Sequence, residues 1–126
     1  MIYVNDPFSQ SYAIQLKPFT FKVDYAAKGE CGMGGPTQGV LTIPGVGKYE
    51  QALPCIIASE DACKLAFMTW FRDDGNAKIK VHVLNIENKH IQTSIIEFGA
   101  YRFTILTANQ LKLKDIFSSR NETIKL

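Results

Sequence analysis

The chain has 126 residues, 46% of them hydrophobic, with 14 basic and 12 acidic side chains and a formal net charge of +2. That is enough for a single domain over 1–126 that buries its own core without disulfides or a metal. The charges are scattered rather than gathered in the stripe of a dedicated nucleic-acid binder, which argues against DNA or an anionic membrane as the primary partner, and no apolar run approaches the ~20 residues of a membrane helix. The N-terminus MIYVNDPFSQ has no basic segment before an apolar core, so the expectation is a soluble protein with no signal peptide and no membrane insertion. Cys31, Cys55 and Cys63 are odd in number, as expected of reduced thiols, with Cys31 open to cross-linking a neighbouring subunit.

In chain order, Ile2-Tyr3-Val4 is a short apolar start, Asn5-Asp6-Pro7 is turn-like, and the stretch to Lys17 fits a strand or one helical turn. Phe19 to Tyr25 alternates aromatic and β-branched residues with polar ones, the period-two mark of a half-buried strand. From about 26 to 47 the chain holds seven of its nine glycines, Gly29, Gly32, Gly34, Gly35, Gly39, Gly45 and Gly47. So much glycine predicts a long arm or extended hairpin, ordered against another molecule, with a turn at Pro44-Gly45. Tyr49 to Ala58 is extended, and Pro54 marks an edge or a bulge.

Ser59 then reads as an N-cap. Glu60 and Asp61 suit the first turn, and Ala62, Cys63, Ala66, Phe67, Trp70 and Phe71 recur at three- and four-residue spacing. This predicts one helix over about 60–72, packed through Phe67, Trp70 and Phe71 and ended by Asp73-Asp74-Gly75-Asn76. Lys78 to Val83 and Ile91 to Phe98 alternate around a polar turn at 85–89 and predict an antiparallel hairpin. Gly99 interrupts before Ala100 to Thr107, which fits one long element bent at a bulge. Leu111 to Lys114 and Glu122 to Leu126 are further strands, the lysines at 112 and 114 on the outer side. Strands without strand–helix alternation predict a mainly β fold: an antiparallel barrel or sandwich with one flanking α-helix and a long Gly-rich arm.

Chemical motifs are sparse. Gly45-Val46-Gly47-Lys48 lacks the first glycine of a phosphate loop at Thr42 and its hydroxyl residue at Tyr49, and Gly32-Met33-Gly34-Gly35 does not join a strand to a helix. His82 lies on a strand face with Lys80, His90 sits at a turn, and no ligand pair has the spacing of a structural zinc site. Nothing selects one cysteine–histidine pair out of six as a nucleophile. The expectation is no catalytic residue, no cofactor and no metal.

The order of these parts resembles that of phage tail-tube proteins and the related Hcp tube protein of type VI secretion. The matching parts are the strand Phe19 to Tyr25, the loop Gly29 to Gly39, Ile43-Pro44-Gly45 with Lys48-Tyr49, the segment Ser59 to Arg72 with Trp70, Lys78 to Ile86, and the terminal strand Glu122 to Leu126. The first loop and the segment from Asn109 to Asn121 depart from that pattern. The resemblance implies a non-enzymatic structural subunit forming stacked, hexameric rings in a virion tail assembled in the host cytoplasm. Sheath or tape-measure proteins would be partners, and Gly29, Cys31, Gly32, Met33, Gly34, Gly35 and Pro36 would make the subunit and ring-stacking interface. Two alternatives stand beside it: another tail component such as a terminator or baseplate protein, and a monomeric small-ligand-binding β-barrel using Phe67, Trp70 and Phe71.

Overall fold

The structure is a computed structural model that describes residues 2–15, 22–32 and 34–126. The described residues form β1 (Ile2–Val4), β2 (Tyr12–Gln15), β3 (Lys22–Glu30), β4 (Thr37–Ile43), β5 (Gly47–Ala58), β6 (Lys64–Asp73), β7 (Asn76–Asn85), β8 (Ile91–Glu97), β9 (Tyr101–Leu106), β10 (Gln110–Asp115) and β11 (Asn121–Lys125). The large sheet runs in the order β2-β3-β4-β5-β6-β7-β8, with β1 paired to the second half of β5; β11-β10-β9 make a small sheet. All pairings are antiparallel. Along the described residues the large sheet curls without closing, since β2 and β8 do not pair.

Two apolar clusters follow from this arrangement. In the first, Leu53, Cys55, Ile57, Met68, Ile79 and Val81 of the large sheet meet Tyr101, Phe103, Leu111, Leu113 and Ile124 of the small one, the face-to-face packing of a β-sandwich. In the second, the other face of the large sheet folds over itself and joins Val23, Tyr25, Leu41 and Ile43 to Ile56, Leu65, Phe67 and Leu84.

No helix occurs among the described residues, so the helix expected over 60–72 is wrong, and its error has a physical source. Strand β6 is covered on both sides: Ala66, Met68 and Trp70 face the sandwich, while Leu65 and Phe67 face the curled cluster. A strand buried on both faces loses its period of two and becomes a continuous apolar run, from which a three-and-four spacing can be picked out by chance. Ser59 does cap, but it caps a turn. Its hydroxyl oxygen accepts from Lys64 N–H at 3.0 Å, its carbonyl accepts from Ala62 N–H at 3.0 Å, and Ala62 stands at φ 61°. Asp74 and Gly75, at φ 49° and 80°, form a two-residue hairpin turn with both central residues left-handed, linking Asp73 to Asn76.

The Gly-rich arm expected over 26–47 is likewise corrected. Most of it is the β3–β4 hairpin inside the large sheet, with Ala26 opposite Val40 and Ala27 opposite Gly39. Glycine is needed at 39 for approach rather than mobility: a Cβ there would lie 2.1 Å from the Ala26 carbonyl oxygen and 2.8 Å from Ala27 Cα. The turn at Pro44-Gly45 is present, closed by Val46 N–H to the Ile43 carbonyl at 3.0 Å. Pro54 sits within a shift of register between Ala52 and Ile56, the expected bulge. The expected hairpin over 78–98 is β7–β8. The single bent element expected across Gly99 is instead two strands in different sheets, with residues 98–100 carrying the chain across the corner. Of the strand expected at Phe19 to Tyr25, residues 22–25 belong to β3 and the rest lie outside the described residues.

Candidate functional site

The curled face of the large sheet ends at β8, and its last rows are set by the register of three strands. Phe67, His82 and Thr93 form one row, Thr69, Lys80 and Ile95 the next, and Phe71, Lys78 and Glu97 the last. In the first row the His82 ring stacks on Phe67 at 5.0 Å and lies 5.9 Å from the Tyr49 ring. Its two nitrogens are both engaged, Nε2 with Thr69 Oγ1 at 2.8 Å and Nδ1 with Thr93 Oγ1 at 3.0 Å. Burial, seconded by the Lys80 charge, pulls its pKa down from 6.5 to about 4, so the imidazole is neutral at physiological pH and takes one donor and one acceptor role toward the two hydroxyls. His82 therefore fastens three strands together and is not poised as a base.

Beyond that row the face opens. Ile95 is 58% exposed, Lys80 Nζ lies 4.9 Å from the centre of the Phe71 ring, and Lys78 pairs with Glu97 at 3.1 Å. The free edge beside this patch is unguarded. Strand β8 pairs only with β7 among the described residues, in unbroken register from Leu84–Ile91 to Lys78–Glu97. Ile91-Gln92-Thr93-Ser94-Ile95-Ile96 contains no lysine, proline or bulge, the devices that keep an edge from pairing with another chain.

Of the other edges, β2 is short and those of β9 and β11 are defended. Strand β2 has four residues. Strand β9 is bulged at Thr104, and beyond its free edge Asn5 imitates a neighbouring strand, its amide donating to the Phe103 carbonyl and accepting from Phe103 N–H, both at 2.8 Å. Strand β11 carries Glu122 and Lys125, and Gln92 Nε2 donates to the Lys125 carbonyl at 2.7 Å. Sequence reading could not single out β8, because edge position is decided by strand order; the absence of lysine and proline over 91–96 was the available signal.

The described residues among those expected at the subunit interface sit at the end of the β3–β4 hairpin, where Gly29 and Gly35 line one shallow pocket. Gly29 belongs to β3, Gly32 and Gly34 are exposed, Cys31 and Pro36 are buried, and Met33 lies outside the described residues. The hairpin loop is closed on itself by Cys31 N–H to the Pro36 carbonyl and tied to the N-terminal segment by Thr37 N–H to the Pro7 carbonyl, both at 2.9 Å. Burial pushes the Cys31 thiol up to about 12, so the site suits neither a thiolate nor a cross-link. Cys55 is raised to about 12 by burial and then by Asp6, with Arg102 acting the other way. Exposed Cys63 is also raised, by desolvation and then by the Asp61 carboxylate.

The aromatic group expected to pack a helix is divided by the strand that carries it. Phe67 enters the curled cluster, while Trp70 packs against the sandwich cluster and Phe98. Phe71 stays on the open end of the Phe67 side, so these three rings cannot wall one ligand pocket. Among the described residues no three His, Cys, Asp or Glu side chains gather where they could hold a metal ion, and no helix is long and apolar enough to cross a membrane. No protein-family model matches the chain, and no curated protein or solved structure gives a significant match to it.

Proposed function

We propose that this chain is a non-enzymatic structural subunit that assembles with copies of itself by pairing strands across sheet edges, in its most specific form as rings stacked into a phage-tail-like tube. The observation that carries the reading is the unguarded β8 edge, flanked by Ile95 at 58% exposure. Such an edge presents a row of free backbone donors and acceptors and is a template for another strand. Strands β8 and β2 terminate the same sheet. Pairing β8 of one copy with the short β2 of the next is heterologous and gives a ring, with the sheets merging into a continuous barrel, where the rotation between copies closes, and a filament where it does not; pairing β8 with β8 is isologous and stops at a dimer. The virion location and the sheath or tape-measure partners belong to the tube form of this proposal. Ordering of the β3–β4 hairpin on its own body removes the arm as a reason for assembly, so the edge alone supports it.

Sedimentation velocity over a concentration series, with electron microscopy of the same samples, tests the reading. Rings or tubes support the tube form, and single rings support a terminator or baseplate role. A dimer that goes no further overturns ring formation, and a monomer at every concentration overturns self-assembly. Ile95→Lys places a charge beside the edge at an exposed position and is expected to leave folding within about 0.5 kcal/mol of wild type while abolishing association; unchanged association would place the interface elsewhere.

A further inference from the structure

The exposed face of the small sheet is cationic and uncompensated. Arg102 on β9, Lys112 and Lys114 on β10 and Lys125 on β11 occupy the positions that alternate with the buried Tyr101, Phe103, Leu111, Leu113 and Ile124. The acidic residues of these strands leave that face: Glu122 stands opposite Leu113 on the inward side, and buried Asp115 accepts from Phe117 N–H and the Ser118 hydroxyl. None of the four cations has an ion-pair or side-chain hydrogen-bond partner among the described residues.

Arg102 and Lys114 are direct cross-strand neighbours. Like charges so placed weaken a sheet, and an anion laid across them would relieve the repulsion. Beside this pair lies a groove of about 320 Å³, lined by Asn5, Arg102, Phe103, Thr104, Lys114 and Ile116. Just past Ile116, Phe117 is 73% exposed and meets the edge of Phe8 at 5.8 Å.

We propose that this face binds single-stranded nucleic acid without sequence preference, with phosphates on Arg102, Lys112, Lys114 and Lys125 and a base stacked on Phe117. A charged surface that tracks a backbone, with an exposed ring to receive bases, is the chemistry of single-strand platforms. Lys112 and Lys114 stand about 7 Å apart along β10, and neighbouring strands about 4.8 Å apart, so the cations present a lattice that a flexible strand can follow. Thr104, Thr123, Asn121 and Gln110 lie between them as neutral hydrogen-bonding groups for sugar and phosphate oxygens. An anionic membrane is the lesser fit, because Ile105 and Phe117 stand at different levels of the sheet and form no contiguous apolar wedge.

Fluorescence anisotropy of the full chain with a labelled, mixed-sequence DNA strand of about twelve nucleotides tests this. Four phosphate contacts predict a slope of log K against log salt near about −3, the same for unrelated sequences. Combined Lys112→Glu and Lys114→Glu is expected to weaken binding at least ~30-fold at about 50 mM salt, and the milder Lys112→Gln with Lys114→Gln to halve the slope to about −1.4. Phe117→Ala is expected to cost about tenfold at an unchanged slope. Lys28→Glu, on the large sheet, should change nothing, and Ile95→Lys should bind as wild type does, which separates this result from self-assembly. No binding at the lowest salt, or equal loss with Lys28→Glu, overturns the proposal. So does tighter binding to phosphatidylserine vesicles than to the oligonucleotide at equal salt, which would make the face a membrane contact.

Discussion

The two apolar clusters share strands β5, β6 and β7 of the large sheet and differ in what closes them. Between the sheets, apolar side chains from two independent surfaces cover one another, and few polar contacts cross from sheet to sheet among the described residues: the Cys55 thiol donates weakly to the Tyr101 carbonyl at 3.6 Å, and at the margin Tyr101 Oη donates to the Glu97 carbonyl at 2.8 Å. On the other side the sheet covers itself, and polar groups complete the closure. Tyr25 Oη donates to the Ala52 carbonyl at 2.9 Å, Tyr12 Oη donates to the Pro54 carbonyl at 2.7 Å, and His82 bridges two threonines. A sandwich supplies an apolar lid for every apolar face; a curled sheet runs out of lid at its last strand, where hydroxyls and an imidazole stand in for hydrocarbon. The sandwich cluster should therefore respond to lost volume, and the curled cluster to lost volume and to pH.

The largest effect should come from truncating one ring in each. Phe103, 1% exposed, and Phe67, fully buried, should each cost about 3–5 kcal/mol when replaced by alanine. Denaturant unfolding at several pH values separates them. Phe103→Ala should lower stability by the same amount throughout. Phe67→Ala also removes the ring stacked on His82, lets water reach the imidazole, and should flatten the pH profile below neutrality. Parallel profiles for the two variants would dissolve the distinction between the clusters.

In the wild-type chain that profile has a defined sign. The folded pKa of His82 is lowered, so its contribution to stability is complete above the unfolded value of 6.5. It is lost as the pH falls toward about 4, because the unfolded chain takes up a proton that the folded one refuses. The ceiling is about 1.4 kcal/mol per pH unit, and the partial exposure of the site's open end reduces the expected loss to about 2 kcal/mol in all. His82→Gln, which can still reach both threonines, should abolish this slope. A slope that survives it would assign the acid sensitivity to other groups.

How far the fold can be read from the letters follows the same division. Strands with one wet face, such as β7 with its Lys78, Ile79, Lys80 and Val81, show their period plainly, and the terminal strands and the turn at Pro44-Gly45 are equally legible. Strand β6 is not, since burial on both sides erases alternation. Asp74-Gly75, the strongest hairpin signal in the chain, passes for a helix stop once the segment before it has been taken for a helix. Glycines in β3 and β4 look like mobility although Gly39 exists so that two backbones can touch. His82 was legible as a strand residue, but its threonine partners lie 13 and 11 positions away and are joined to it only by register. The unguarded edge and the cationic face depend on strand order, which periodicity does not contain.

The smallest effect bears on both the curled cluster and the proposed assembly. The two threonines that hold His82 differ in surroundings: Thr69 is buried on β6, whereas Thr93 is exposed on the edge strand. Thr69→Val leaves a ring nitrogen without a partner away from water and should cost about 1–2 kcal/mol. Thr93→Val leaves the other nitrogen where water can replace the hydroxyl, and in the dispersed monomer it should cost about 0.5 kcal/mol or less. If β8 is covered by a strand from another copy, that water is excluded. The Thr93→Val penalty should then grow toward that of Thr69→Val as the protein concentration is raised. Unfolding curves at low and high concentration measure this, and a penalty independent of concentration would mean that association, if present, leaves the edge beside Thr93 open.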